Sequence, residues 1–545
     1  MSSFDYLRKY QKLKVQKRSG FDKSFKNLLT TKVGTITPIL VDELLPNTTV
    51  HLDAAINACL PPLASETFMN VNLEVCAFAV PIRLLYGGFE HWLTGEKLYT
   101  GNGVETSVSI PVLNVTSAVS TSVQYLGAGK LTDYLGYKCD PNDFTGSTMM
   151  ASTNFNIFPL LAYHKIYDDW YRNNLIQKPV FRRPAQTGTL VGVAYTLPYC
   201  FISGSTPMAL NLSSSLCDGV ALGDLRQRNF DLDYFTSALP SAQKGNPQEV
   251  TMLVNSATCG TSFTIASLRA ANSLQQFAER NQFSTRLVDY VKANYGANLS
   301  DGLAQRSMFL GRTLVSVYTR GVDKTQVGGD TASYNNPFGS VGATYGKAVC
   351  VGKGSLVDSF TAEEPMVLMV LATLVPKVTY STGVNRMNWH YTSHASQVDM
   401  GNAALQNVGN QPIYVGELVS LRAVSANTKE VFGYTDRYAE YMTKEDELHG
   451  LVRDGQSLQS FAAQRSFAGT GSTQISDAFL KIPVTYLDQV AAASNNITQY
   501  GCWMDCYFNY KVSQPLAQYS IPSLQDPAYE HGKTVSIKKG GKSVY

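Results

Sequence analysis

The sequence predicts a mainly β protein whose strands form an antiparallel sandwich of the jelly-roll type, interrupted by long insertions that contain helices. Two blocks of β-type sequence, residues 33–130 and 360–522, flank residues 131–359, where helical spacing and loop-like composition prevail. If both blocks contribute to one sheet system, strands must pair across hundreds of residues, which a jelly roll permits. The chain has 545 residues, of which 44% are hydrophobic, and can bury a large core.

The first β block is predicted from apolar residues that alternate along the chain. Strands are expected over residues 36–52 and 104–126, which are rich in β-branched side chains. Between them a third strand is expected to end at Pro81, because proline cannot donate to a ladder. Its apolar face recurs with a period of two and consists of Val71, Leu73, Val75, Ala77 and Ala79.

The middle of the chain predicts three helices. Asn156 is placed to cap the first, and Pro159 falls in its first turn, where proline is tolerated. The second and third are expected over residues 267–277 and 285–295, and Gly296 stands where a helix C-terminus favours glycine.

Loops and the second β block complete the chain. Residues 184–225 are predicted to be loop and irregular strand, and the glycine-rich residues 321–355 an extended loop. Strands are expected over residues 366–382, 482–492 and 502–512.

The nine cysteines are scattered and contain no Cys-x-x-Cys pair. Cys502 and Cys506 share one face of a predicted strand about 13 Å apart, too far for a disulfide. We therefore expect buried free thiols in a protein made in a reducing cytoplasm.

Charged residues make up only 16% of the chain, below the ~25% typical of soluble proteins. The polar surface must then come from uncharged residues and tyrosine. Such a surface suits a protein that buries its exterior against copies of itself. It equally suits an extracellular β-rich binding protein.

Basic residues are concentrated at the two ends of the chain. Residues 1–32 contain nine basic residues (Lys or Arg) and two acidic ones, and residues 531–545 contain four basic residues and no acidic one. The whole chain has 45 basic and 42 acidic residues, so the body between the two ends has 32 basic and 40 acidic residues. Basic ends on an acidic body are typical of arms that neutralise nucleic-acid phosphates, although solvated tails share this composition. We predict a basic N-terminal arm at residues 1–32, a basic tail at residues 523–545, and the nucleic-acid-facing residues Arg8, Lys9, Lys12, Lys14, Lys17, Arg18, Lys533, Lys538, Lys539 and Lys542.

Residues 431–441, VFGYTDRYAEY, combine aromatic and charged side chains without a plausible catalytic group. Gly433 is expected to form a turn. Tyrosine and arginine carry much of the binding energy at protein–protein contacts, since each has a large body with a polar end. A plain aromatic surface loop explains the composition equally well. We predict that a boundary between subunits is formed or supported by Phe432, Tyr434, Arg437, Tyr438 and Tyr441.

Motifs for catalysis, metal binding and membrane insertion are incomplete. Residues 342–348 are one residue short of phosphate-loop spacing, and Ala348 replaces the required Ser or Thr. His390 and His394 have a zinc-like spacing but lack the glutamate of H-E-x-x-H. No G-x-S-x-G motif occurs. Apolar runs fall far short of the ~20 residues of a membrane span, and no secretory h-region follows the basic N-terminus. We therefore expect neither an enzyme nor a metal or cofactor site.

Seven blocks of the sequence carry a specific resemblance to a known family. They include VDELLP at residues 41–46 and DYFTSALPSAQKG at residues 233–245. In chain order the blocks are residues 18–50, 80–96, 158–177, 228–245, 266–281, 306–311 and 431–441. Together they resemble the major capsid protein of microviruses, small icosahedral phages with single-stranded DNA, and the gokushovirus branch in particular.

This resemblance, over residues 18–522, implies an eight-stranded jelly roll and a 60-copy, T=1 icosahedral shell around circular single-stranded DNA. It implies a virion protein assembled in the cytoplasm of a bacterial host. The partners it implies are further copies of the chain, the DNA, a small basic DNA-binding protein, an internal scaffolding protein, a DNA pilot protein and a host surface receptor. The alternative is a secreted β-sandwich carbohydrate-binding protein or glycoside hydrolase, which the missing signal peptide disfavours.

One departure from the family concerns host attachment. Gokushoviruses carry a long insertion after the Gln-Lys-Gly element, which builds a protrusion at the three-fold axes. Here only about twenty residues separate Gly245 from Ala266. We therefore expect no large protrusion at that position and place host contact on other segments, such as residues 127–153 or 184–225.

Overall fold

The computed structural model describes a large part of the chain. The described residues are 18–95, 98–99, 105–106, 110–115, 123–138, 153–181, 209–210, 212–213, 215–242, 265–282, 284–323, 344–390, 410–421, 430–467, 474–492, 495–516, 537–539 and 542–544. Within these ranges, no helix has both the length and the apolar character that crossing a membrane requires.

Strands dominate the described chain, which confirms the mainly β prediction. They are β1 (Ser19–Asp22), β2 (Phe25–Thr31), β3 (Thr37–Leu44), β4 (Thr48–Cys59), β5 (Val71–Pro81), β6 (Leu98–Tyr99), β7 (Glu105–Thr106), β8 (Val112–Val115), β9 (Thr153–Asn156), β10 (Ala209–Leu210), β11 (Met308–Ser316), β12 (Tyr318–Asp323), β13 (Thr344–Ala362), β14 (Met366–Pro376), β15 (Asn410–Tyr414), β16 (Val431–Asp436), β17 (Cys502–Gln514), β18 (Ile537–Lys539) and β19 (Lys542–Val544).

The α-helices lie between these strands. They are α1 (Phe89–Thr94), α2 (Leu131–Tyr134), α3 (Phe158–Ile166), α4 (Ile265–Arg280), α5 (Leu287–Tyr295), α6 (Ala439–Met442), α7 (Asp477–Leu480) and α8 (Asn496–Tyr500). A π-helical turn over Tyr167–Tyr171 continues α3. The three predicted helices correspond to α3, α4 and α5, and Gly296 ends α5 with a φ of +67°.

Two antiparallel sheets form the body of the molecule. In sheet 1 the order is β17, β4, β13, β12, with β1 and β2 both paired to the outer edge of β17. In sheet 2 the order is β11, β5, β14, β3. The chain crosses repeatedly between the two sheets. It passes from β3 in sheet 2 to β4 in sheet 1 and back to β5 in sheet 2. Later it passes from β11 in sheet 2 to β12 and β13 in sheet 1 and back to β14 in sheet 2. Pairing follows a nested order, since β3 pairs with β14, β4 with β13, and β5 with β11.

The main core lies between the two sheets. Sheet 1 contributes alternate residues of β4 and β17, whose burial pattern follows a period of two. Cys502 and Cys506 belong to this buried set as free thiols, as predicted, and burial raises the pKa of each to about 12. The opposite side chains of β4 and β17 point away from the core, so one face of sheet 1 is open.

The central strands of sheet 2, β5 and β14, are buried on both faces. The inner face of the sheet includes the predicted alternating set of β5, which packs into the main core. Its outer face, with Phe78 and Met369, belongs to a second core formed with α3. In this second core the Tyr163 hydroxyl donates to the carbonyl of Ile36 (2.8 Å). Every residue of β14 is consequently buried.

Two predictions of local structure are wrong. Residues 344–355 form part of β13 rather than a loop, so Gly346 and Lys347 lie in a strand and not in a phosphate-binding turn. Residues 482–492 contain turns and a 3-10 helix instead of a strand, although Ile482 and Leu487 are fully buried. Apolar residues there fill the core without entering a sheet.

Two predicted boundaries also differ from the structure. Within the predicted arm at residues 1–32, β1 and β2 pair with β17 and belong to sheet 1. Within the predicted insertion at residues 131–359, β11, β12 and most of β13 belong to the sandwich. Both differences arise because strand partners lie hundreds of residues away.

Candidate functional site

Residues 431–441 form a strand, a tight turn and one helical turn. Gly433 lies inside β16 rather than at a turn, which corrects the prediction. A Cβ at this position would lie 3.0 Å from the Cβ of Ala238, so glycine allows β16 to approach the neighbouring segment closely. The turn occurs at Tyr438, whose φ is +64°.

The first half of this segment is built into the chain's own core. Phe432 is only 2% exposed, and its ring centroid lies 4.9 Å from that of Phe479. Tyr434 exchanges two backbone hydrogen bonds with Leu239 (2.7 and 2.8 Å). These two predicted interface residues therefore fix β16 within the subunit. Because Phe432 is buried, it can support a subunit boundary only indirectly, by positioning the residues at the surface.

The second half of the segment reaches the surface. Tyr438 is buried, and its backbone N–H donates to Oε1 of Gln411 (3.1 Å). The Arg437 guanidinium lies 5.4 Å from the Tyr438 ring centroid. Tyr441 is 51% exposed and stacks on His390 with ring centroids 5.8 Å apart. Of the five predicted residues, Tyr441 therefore offers the largest exposed fraction to a neighbouring molecule.

His390 lies beside a carboxylate. Its Nε2 lies 3.3 Å from Oε1 of Glu440, and both side chains are almost completely buried. Its Nδ1 lies 3.4 Å from the Tyr441 hydroxyl. His394 lies outside the described residues. Among the residues that the structure describes, no group of His, Cys, Asp and Glu is arranged to hold a metal ion.

A buried polar network beneath this segment was not predicted. The Arg386 Nη1 donates to Oε1 of Glu417 (2.8 Å), and the Tyr234 hydroxyl donates to Oε2 of the same carboxylate (3.0 Å). Burial raises the pKa of Glu417, and the Arg386 charge opposes that shift. Nearby, the Tyr380 hydroxyl donates to Asp233 (2.8 Å). The network ties the DYFTSALP element to β15 and explains why polar residues occur in it.

The hairpin of α4 and α5 carries several exposed apolar side chains. No residue of either helix is buried. Six apolar or aromatic residues are between 49 and 74% exposed, namely Ile265, Leu268, Leu274, Phe277, Leu287 and Tyr295. So many exposed apolar side chains on two helices indicate a surface that another molecule covers.

The hairpin is anchored at its base rather than along its length. Asn281 and Asn294 exchange side-chain hydrogen bonds (2.6 and 3.2 Å) between the helices. The Arg286 guanidinium donates to the backbone carbonyls of Asp168 and Asp169 at the π-helical turn. Isolated helices shorter than about 12–15 residues are marginal in water, and α5 has only nine residues. A neighbouring surface that covered the hairpin would therefore stabilise it. The sequence predicted the two helices but not their exposure.

The predicted nucleic-acid-facing residues lie mostly beyond the described chain. Arg8, Lys9, Lys12, Lys14, Lys17 and Lys533 are outside the described residues, and Lys538, Lys539 and Lys542 lie in the β18–β19 hairpin. Arg18 is described: its guanidinium donates to the Ser513 carbonyl (3.0 Å) and to the Thr49 hydroxyl. Arg18 thus helps to fasten the start of β1 to sheet 1.

Comparison with known proteins gives one consistent family. The model of the phage capsid protein (F protein) family matches residues 12–258 and 252–524. Capsid protein VP1 of Chlamydia phage 1 is 25% identical, over 93% of this chain and 96% of the relative. Capsid protein VP1 of Bdellovibrio phage phiMH2K is 22% identical and that of Spiroplasma virus 4 is 23% identical, each over 93% of this chain and 95% of the relative. The similarity therefore extends along nearly the whole chain.

Proposed function

This chain belongs to the phage capsid protein (F protein) family, the major capsid proteins of microviruses, and on that premise we propose that 60 copies form a T=1 icosahedral shell around circular single-stranded DNA. The family is structural and not enzymatic, so the alternative of a secreted carbohydrate-binding protein or glycoside hydrolase is abandoned. One chain that makes two-fold, three-fold and five-fold contacts leaves no edge of the shell open.

The proposed fold of each subunit is an eight-stranded jelly roll with long insertions. Its support is the nested pairing of β3 with β14, β4 with β13, and β5 with β11, because a jelly roll is a long antiparallel hairpin rolled into two sheets. The fourth and outermost pair is β2 with β17, so the four nested pairs account for eight strands, four in each sheet.

The observation that carries the assembly proposal is the exposed apolar surface of the α4–α5 hairpin. At 60% exposure for Leu268 and 51% for Leu274, this surface would favour aggregation of a protein that works alone. In a shell, a neighbouring subunit covers it. Burial of each leucine would contribute about 1.5–3 kcal/mol of hydrophobic stabilisation.

Substitution of these leucines by aspartate tests the proposal. We expect the double variant Leu268→Asp, Leu274→Asp to fold normally but to form no particles, since each carboxylate would have to be buried at the contact. Circular dichroism reports the fold, and sedimentation with electron microscopy reports the particles. Gln276→Asp is the matched control, because it adds a charge to the same helix at an exposed polar position. Normal particle yield from the double variant would contradict this assembly surface.

Further proposed partners follow from the same premise. We propose that the basic ends of the chain, residues 1–17 and 523–545, face the DNA together with a small basic DNA-binding protein. Assembly with an internal scaffolding protein and a DNA pilot protein in the host cytoplasm is part of the proposal. The shell also contributes to attachment to a host surface receptor, for which segments 127–153 and 184–225 are the proposed contacts; most of both lies outside the described residues.

A further inference from the structure

The open face of sheet 1 forms a shallow trough and presents exposed aromatic side chains from two of its strands, β17 and β12. Trp503 and Tyr507 of β17 are 48 and 51% exposed, and Tyr318 of β12 is 65% exposed. Aromatic residues stay in water at a free-energy cost, so three on one sheet face indicate a surface that is covered in the functional state.

The trough follows from the register of the strands. Trp503 stands opposite Cys59 of β4, and Cys59 stands opposite Val349 of β13. Tyr507 stands opposite Ala55, which in turn stands opposite Lys353. Small side chains on β4 therefore form the floor, between walls on β17 and β13 that are about 10 Å apart.

One wall carries aromatic rings and the other carries positive charge. Trp503 and Tyr507 are four residues apart on the same face, hence about 13 Å apart along β17. Lys347 and Lys353 are exposed on the facing wall, and Arg320 stands opposite Lys347. Within the described chain, no carboxylate lies in ion-pair distance of these three cations.

Acidic residues on the same face are already matched by donors. Asp505, between the two aromatic residues, is paired with Lys26 (2.8 Å). Asp53 accepts a hydrogen bond from Asn509 (3.1 Å) but keeps its negative charge. Three cations on the wall of β13 and β12 outnumber this one carboxylate, so the net charge offered to a ligand is positive.

We propose that the open face of sheet 1 binds single-stranded DNA, with bases stacked on Trp503 and Tyr507 and phosphates held by Lys347 and Lys353. Aromatic rings bind bases of any sequence, because every base has a π-face, and lysines on a strand supply the phosphate contacts. The inference rests on the proposed function and assigns the genome contact to a particular surface.

Ultraviolet crosslinking of intact wild-type particles tests this assignment without any substitution. After nuclease digestion, mass spectrometry should find nucleotide adducts on the peptides that contain Trp503, Tyr507 and Tyr318. Adducts confined to other parts of the chain would overturn the inference and leave the proposed function intact. Particles that contain no single-stranded DNA would overturn both.

Binding of a labelled thirty-nucleotide oligothymidine to the unassembled full-length protein gives a second measurement. We expect Trp503→Ala with Tyr507→Ala to weaken binding at least tenfold. Lys347→Gln with Lys353→Gln should reduce the slope of log affinity against log salt by about 1.4, or about 0.7 per phosphate. Trp92→Ala is the control, because Trp92 is 45% exposed on α1 beside Phe89 of the second core, on the outer face of sheet 2, and its loss should leave binding unchanged. Equal binding by the Trp503/Tyr507 variant and the control would contradict the assignment.

Discussion

Sheet 1 and sheet 2 share one core but differ in what lies on their outer faces. Sheet 2 is covered by α3 and its neighbours, so β14 is buried from Met366 to Pro376. Sheet 1 has an open face, so β17 alternates between buried and exposed residues. The difference separates two tasks: the covered sheet contributes most to stability, whereas the open sheet can present side chains to a ligand without loss of core packing.

The largest expected difference between the sheets is their response to truncation. Met369 on the outer face of β14 is fully buried, and Met369→Ala should lower the free energy of unfolding by about 2–5 kcal/mol, because it leaves a cavity. Val351→Ala on the open face of β13 is the matched control. Val351 is 65% exposed, so its truncation should change the same quantity by less than about 0.5 kcal/mol. Urea unfolding of the unassembled protein measures both; equal losses would show that the two faces do not differ in this way.

A smaller effect is expected from pH, through a histidine in the cover of sheet 2. The Arg226 Nε donates to Nδ1 of His164 (2.9 Å), and Nε2 of His164 faces the Leu222 carbonyl (2.8 Å). This geometry holds the ring neutral. Burial lowers the pKa of His164 well below its ordinary 6.5, and the Arg226 charge lowers it further.

The sign of the pH effect follows from proton uptake. Below pH 6.5 the unfolded chain binds a proton at His164 that the folded chain does not, so stability is lost as the pH falls. The loss approaches about 1.4 kcal/mol per pH unit. Urea unfolding between pH 7.5 and 5.5 should show this slope, and His164→Gln should reduce it. His449→Gln is the control, since that side chain is 81% exposed; an unchanged slope in His164→Gln would refute the role of His164.

The sequence predicted strands best where side chains alternate and no distant partner is needed to recognise them. The alternation of β17 is visible in CWMDCYFNYKV, and β5 and β14 are visible as apolar runs that end at prolines. β13 was missed because glycine usually signals a turn. Here a Cβ at Gly352 would lie 2.5 Å from the Val315 side chain, so glycine serves the close approach of β13 to β11.

The candidate surfaces were predictable in residue type but not in exposure. The aromatic composition of residues 431–441 is evident in the sequence, yet burial of Phe432 and Tyr438 depends on Phe479 and Gln411 from other parts of the chain. The open face of sheet 1 depends on contacts between residues that are even farther apart in the sequence, because Trp503, Cys59 and Val349 become neighbours only through strand pairing. Local patterns along one sequence do not show which distant strands pair, or in which register.

Cryo-electron microscopy of the intact particle tests the central claim most directly, namely that the open sheet, and not the covered one, faces the genome. We expect the open face of sheet 1, with Trp503 and Tyr507, to line the interior against nucleic-acid density, and the α4–α5 hairpin to lie at a contact between subunits. A particle in which the open face of sheet 1 lies on the outer surface would contradict the claim.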